Sequence, residues 1–156
     1  MNSCSTFAIA PLLITLAAFS TVHAQEKKIK AEDLPPAVQK TVAEQSKGAT
    51  TRGFSTEIEN AGKVYEVELT VEGHERDISM DQEGNILEVE EEVSMDSLPA
   101  TVREGLKKAA GTGTIGKVES LTKKGKLVAY EAAVKTAGKR SEIQVGPGGK
   151  KLAHLE

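Results

Sequence analysis

The chain has 156 residues, with 20 Lys and Arg against 23 Asp and Glu, a formal net charge of −3. Near-balance without a basic stripe argues against a nucleic-acid partner. With no Trp and two Tyr, aromatic stacking platforms are effectively absent.

No side chain before Ala24 is charged, and residues 7–19 (FAIAPLLITLAAF) form a short apolar run broken once by Pro11. The run ends at Val22-His23-Ala24, followed by Gln25 and a lysine cluster. That is the layout of a secretory signal peptide, with cleavage expected between Ala24 and Gln25. The first five residues lack the usual Lys or Arg. The run is too short to span a bilayer comfortably, and no second apolar segment of spanning length follows. Cys4, the single cysteine, precedes the run rather than ending it, so it is expected to leave with the signal. The mature chain then has no disulfide, although an exported compartment would allow one.

Residues 25–33 read as a polar tether. A helix is expected from Leu34-Pro35-Pro36, capped by Asp33, because proline is tolerated where its missing N–H would be unpaired. Leu34, Val38 and Val42 make one narrow apolar stripe, and Gly48 is a plausible stop. Residues 52–60 read as a weaker strand carrying Phe54 and Ile58. Residues 63–72 are the clearest strand: Tyr65, Val67, Leu69 and Val71 alternate with Glu66, Glu68, Thr70 and Glu72. After a turn at Gly73-His74, residues 75–81 place Arg76, Ile78 and Met80 on one face. Residues 81–85 form a tight turn with Gly84 at positive φ, and residues 86–93 a fourth strand.

The same design then recurs. Leu98, Val102 and Leu106 repeat Leu34, Val38 and Val42, and Tyr130-Glu131 repeats Tyr65-Glu66. Ile143 answers Ile78, Gly149 answers Gly84 and Leu152 answers Leu87. Strands are expected over 117–123, 126–136 and 140–145, with 150–156 closing the chain. The expected fold class is α+β: two tandem repeats, each one helix followed by a four-stranded antiparallel sheet, over residues 34–93 and 97–156. Units of this size are marginal alone, so they should pack on each other or extend one sheet. Ala129, Ala132 and Ala133 make the second unit the poorer one.

A helix opening with Leu-Pro, a central strand carrying Tyr-Glu and a D-x-x-G-x-[IL] hairpin together resemble the PepSY-like domain. The residues are Leu34-Pro35, Tyr65-Glu66 and Asp81…Gly84…Leu87, then Leu98-Pro99, Tyr130-Glu131 and Gly149…Leu152. Gly146 stands where the second copy should have an aspartate. The resemblance implies exported α+β modules, similar in fold to a secreted β-lactamase inhibitor protein, with related domains in metallopeptidase propeptides. It implies a periplasmic or secreted home and a binding or inhibitory role toward a protein partner, such as a peptidase or another envelope protein. It supplies no catalytic residue and no cofactor.

The residues themselves offer no enzyme. Residues 111–116 (GTGTIG) fit G-x-G-x-x-G, but in the order helix, glycines, strand, whereas a dinucleotide site needs strand, glycines, helix. His23, His74 and His154 have no zinc-ligand spacing, and no nucleophile elbow is present. Glu88, Glu90, Glu91, Glu92 and Asp96, joined by Glu66, Glu68 and Glu72, form an acidic patch that could attract a hard cation such as calcium. Its ordinary reading is a solvated strand face, and residues 81–85 lack EF-hand spacing. Lysines of the second unit (Lys117, Lys123, Lys124, Lys126, Lys135 and Lys139) could pair with the acidic first unit. The expected function is thus an exported, non-enzymatic binding module, the alternative being a small-ligand or metal-cation sensor. Tyr65, Glu66, Glu68, Tyr130 and Glu131 are the candidate repeat-signature or partner-facing residues.

Overall fold

The computed structural model describes residues 26–59 and 62–156. The expected signal cleavage point, Ala24 and Gln25, lies outside the described residues. The elements are β1 (Lys27–Ile29), α1 (Pro36–Gln45), β2 (Thr50–Glu59), β3 (Gly62–Val71), β4 (His74–Met80), β5 (Ile86–Glu92), α2 (Ala100–Ala110), β6 (Thr114–Lys123), β7 (Lys126–Thr136) and β8 (Lys139–Val145). Short 3-10 turns at Ala31–Asp33 and Met95–Ser97 lead into the two helices.

The strands form one antiparallel sheet of eight, in sequence order from β1 to β8. This overturns the expectation of two repeats that each carry a helix and a four-stranded sheet of their own. The join is β5 with β6, where Glu88 to Glu92 run against Lys123 to Glu119. Separate sheets would leave both of those strands with unpaired N–H and C=O groups, and pairing removes two raw edges at once. The halves are also unequal. Within the stretch read as a tether, β1 pairs with β2 through Lys27–Thr56, Lys28–Ser55 and Ile29–Phe54. The last residues, expected to close a second four-stranded set, contribute only an isolated bridge between Val145 and Lys151.

Both helices lie on the same face of the sheet. Leu34, Val38 and Val42 pack on Tyr65, Val67, Leu69, Ile78 and Met80. Leu98, Val102 and Leu106 pack on Val118, Ala132, Val134, Ile143 and Val145. The register connects the two cores through Ile78–Val89–Thr122, one strand to the next. Alternation along each strand therefore sends one set of side chains to the helices and the other to the opposite face.

The entry to α1 differs from its expected cap. Asp33 Oδ2 accepts from the Lys30 N–H at 3.0 Å, closing the 3-10 turn, and Pro35 occupies the cap with no side-chain bond. In each half a long side chain satisfies the leucine carbonyl before the prolines: Gln39 Nε2 donates to Leu34 O at 2.8 Å and Arg103 Nη1 to Leu98 O at 2.6 Å.

Three hairpins turn in two residues. Glu72-Gly73, Lys124-Gly125 and Ala137-Gly138 all have positive φ at both positions, 51° and 90°, 50° and 76°, 49° and 84°. That is the type I′ turn, whose twist matches the flanking strands. No helix among the described residues is long and apolar enough to cross a membrane.

Candidate functional site

The face away from the helices is where the polar half of each strand collects. Ser55, Glu66, Ser79, Glu88 and Lys123 lie side by side across five strands. The next rung is Gly53, Glu68, Asp77, Glu90, Leu121 and Ala129. Glu92, Glu119, Glu131 and Gln144 form a third. The chain end touches this face at β8, where the Glu156 N–H donates to Gln144 Oε1 at 2.7 Å.

Among the described residues three cations form ion pairs on this face, and unevenly. Arg52 lies 2.6 Å from Asp77, 3.4 Å from Glu75 and 3.7 Å from Glu68. Lys117 reaches Glu75 at 2.6 Å and Glu119 at 2.9 Å, tying β6 to β4 across β5. Lys123 stands 3.5 Å from Glu88. No cation among the described residues pairs with Glu66 or Glu90.

The acids respond as crowded, half-buried carboxyls should. Burial pushes Glu90 up to about 8, with Glu119, Glu88, Glu131 and Glu66 adding repulsion. Burial likewise pushes Glu66 up to about 7, with Asp77, Glu26, Glu68 and Glu57 adding to it. Asp77 is raised because its burial outweighs the pull of Arg52. Glu131 is raised by burial against the hydrogen bond that it accepts from Gln144. Glu75, at the margin, is lowered by its bond to Lys117.

Carboxylate oxygens of Asp77, Glu90 and Glu119 lie within 4.8 Å of one another. Such a group either keeps a proton or gathers a positive charge. Ser55, Val64, Leu121 and Ala129 also point to this side, yet are only 2%, 3%, 2% and 0% exposed. The curl of a twisted sheet and the surrounding side chains shade them, so the face is sunken rather than flat.

Of the sequence candidates, Glu66 and Glu68 on β3 and Glu131 on β7 share this face. Tyr65 does not: it is buried in the first helix-side core, with the Lys63 ammonium 5.1 Å from its ring centroid. Tyr130 packs against the second core. From the acidic patch read in the sequence, Glu88, Glu90 and Glu92 share this face, whereas Glu91 stands opposite Arg76 in the ladder, on the helix side, and Glu72 sits in a turn. Asp77 and Glu119 were not among the sequence candidates. Strand parity alone would have added Asp77 once β3 and β4 were paired. Glu119 depended on the unforeseen β5–β6 contact.

Of residues 111–116, 111–113 connect α2 to β6 and 114–116 begin the strand, with Gly111 ending the helix at φ 59°. His74 begins β4 and is exposed, as is His154. A separate open groove of about 560 Å³ lies along the β1–β2 edge, bordered by Lys28, Ile29, Glu57, Ile58 and Lys63.

One family model, described as "Putative beta-lactamase-inhibitor-like, PepSY-like", matches residues 17–88 and again 74–150. A comparison with curated proteins finds no match. Among solved structures, a BLIP-like protein from Bacteroides fragilis is 20% identical with a TM-score of 0.57, covering 76% of this chain and 83% of its own. A DUF2874 family protein from Bacteroides ovatus is 18% identical with a TM-score of 0.61, covering 77% and 86%. A protein from Bacteroides eggerthii described as "putative periplasmic" is 15% identical with a TM-score of 0.62, covering 76% and 86%. At such identities the likeness is one of fold, and the matched stretches together take in most of the sequence. The chain belongs to the PepSY-like, beta-lactamase-inhibitor-like family.

Proposed function

We propose that this protein is an exported, non-enzymatic binding module that holds a protein partner against the open face of its sheet. One observation carries the reading. Both helices pack on the same side, so the other side of a broad sheet is left as a rigid, sunken, polar surface. Occlusion needs that kind of surface and no catalytic group. The family membership supports an inhibitory or regulatory mode toward an envelope protein, such as a peptidase. The signal-like leader and the Bacteroides eggerthii neighbour support a periplasmic home.

The test is site-specific photocrosslinking in the native envelope. A crosslinker at Ser79 or Glu88, on the open face, should capture one recurrent protein. At Lys107, on α2, it should not. Capture at Lys107 alone, or nowhere, refutes the reading. The rival reading, a divalent cation held by Asp77, Glu90 and Glu119, rests on their carboxylate oxygens lying within 4.8 Å of one another. It requires calcium or magnesium to raise the melting temperature by several degrees and EDTA to reverse it.

A further inference from the structure

Building on the protein-binding reading, we infer that the open face takes a lysine- or arginine-bearing segment of the partner, whose cations supply the counter-charge that Glu66 and Glu90 lack. The first ground is the uneven pairing. Arg52 and Lys117 are shared among Glu68, Glu75, Asp77 and Glu119, and Lys123 meets Glu88. The chain has further lysines, but Lys107 and Lys108 lie exposed on α2, and Lys150 and Lys151 are exposed near the chain end. Those four lie away from the open face; by register Lys28, Lys135 and Arg140 stand on it, but among the described residues none of them forms an ion pair with Glu66 or Glu90.

The second ground is extent. Glu66 stands on β3, Glu90 on β5 and Glu131 on β7. At a strand spacing of roughly 4.8 Å, four spacings put the two ends about 19 Å apart. A single hard cation gathers oxygens at only about 2.3–2.6 Å, so one ion cannot satisfy the strip. Cations strung along a segment of chain can. An anionic partner, whether nucleic acid or an acidic lipid surface, is repelled.

The third ground is rigidity. The strip is laid across a continuous hydrogen-bonded ladder, and two-residue turns hold three of its hairpins. Carboxylates fixed in place and shaded from water lose little freedom when a cation arrives.

A consequence concerns protons. Facing Glu66 are Lys28 on β1, Glu57 on β2, Glu68 on β3, Asp77 on β4 and Glu26 beside β1, with Arg52 of β2 held between Glu68 and Asp77. Facing Glu90 are Asp77 on β4, Glu88 on β5, Glu119 on β6 and Glu131 on β7, with Lys117 and Lys123 at the margins. Both glutamates retain protons near neutral pH. A docking cation must displace them, so binding should strengthen as pH rises and weaken with salt.

The experiment uses the mature chain and fluorescent oligolysine and oligoarginine as probes, with a neutral Gly-Ser peptide as reference. Anisotropy is read at mildly acid and mildly alkaline pH, at low and high salt. The cationic probes should bind more tightly than the neutral one, and more so at alkaline pH. The E66Q/E90Q double variant should lose roughly tenfold in affinity, while E104Q on α2 leaves it unchanged. Melting of each variant shows that it is folded. Equal binding of neutral and cationic probes, or unaltered binding by E66Q/E90Q, overturns the inference. So does a melting shift with calcium alone when the peptides do not bind. If the crosslinked partner contacts this face through a segment without Lys or Arg, the chemistry inferred here fails while the protein-binding reading survives. If open-face positions capture nothing, that reading falls by itself.

Discussion

The hydroxyl of Thr41 on α1 donates to the carbonyl of Gly84 in the β4–β5 turn at 2.8 Å. Gly84 has φ +78°, and a Cβ built there would lie 2.7 Å from the Ala37 carbonyl. The helix thus rests directly on the turn backbone. The other half repeats the contact, with Gly149 at φ +79° against the Thr101 carbonyl. Replacing Gly84 by alanine combines a left-handed conformation with a backbone clash. We expect G84A to cost about 2–4 kcal/mol and T41V about 1 kcal/mol, read from urea denaturation. A loss in G84A no larger than that in T41V would show that the helix can lift off freely.

Stability should fall as pH rises from mildly acid to mildly alkaline. The sign follows from the carboxyls of the open face. In the unfolded chain Glu66 and Glu90 titrate near 4.5, but folded they hold protons up to about 7 and about 8. Between those limits the folded state binds more protons than the unfolded, and raising pH favours unfolding. Asp77 and Glu131 are shifted the same way. Glu75 and Asp81 are lowered, so their contribution is present above their unfolded values and fades only in stronger acid. A melting profile should therefore peak on the acid side of neutrality, and E66Q/E90Q should flatten its alkaline limb. A melting temperature that climbed from pH 5 to pH 8 would contradict this.

Ala137 is strained where it stands. It takes φ 49° in the first position of the β7–β8 turn, a region that costs an ordinary L-residue roughly 1–2 kcal/mol and asparagine less. A137N should raise stability by about 0.5–1 kcal/mol, seen as a higher denaturant midpoint with unchanged slope. No gain would mean that the turn relaxes in solution.

The β5–β6 pairing makes the molecule one cooperative body. Calorimetry of the whole chain should give a single transition with equal calorimetric and van't Hoff enthalpies. Halves expressed separately, split after Val93, should each present a bare strand edge and self-associate. Within the intact sheet, amide exchange should be faster along β7 and β8, where Ala129 and Ala132 fill buried positions and β8 is an edge. Two resolved transitions, or monomeric soluble halves, would count against a single unit.

Most strands and both helices could be read from the residues. Alternation marked Tyr65 to Val71, and the Leu-Pro openings marked the helices, because periodicity reports which side of an element is buried. It does not report which strand lies next to which. That is why the join through Glu88–Lys123 was missed, along with Glu119 as a neighbour of Asp77 and Glu90. The three-residue β1 was hidden for another reason: Lys27, Lys28 and Ile29 carry too little pattern for so short an edge strand, and a polar run reads as linker. Tyr65 matched its counterpart Tyr130 in sequence, but recurrence reflects a shared core position as readily as a contact surface.

The two-residue turns have one further consequence. With no slack at three of the bends, counting along the backbone decides which residues look outward. Side chains on the open side can change identity while the register of the strands stays as it is. The length of a strand cannot. A single residue inserted within β3 or β7 would turn the remaining part of that strand inside out, placing acids beneath the helices and valines in the water.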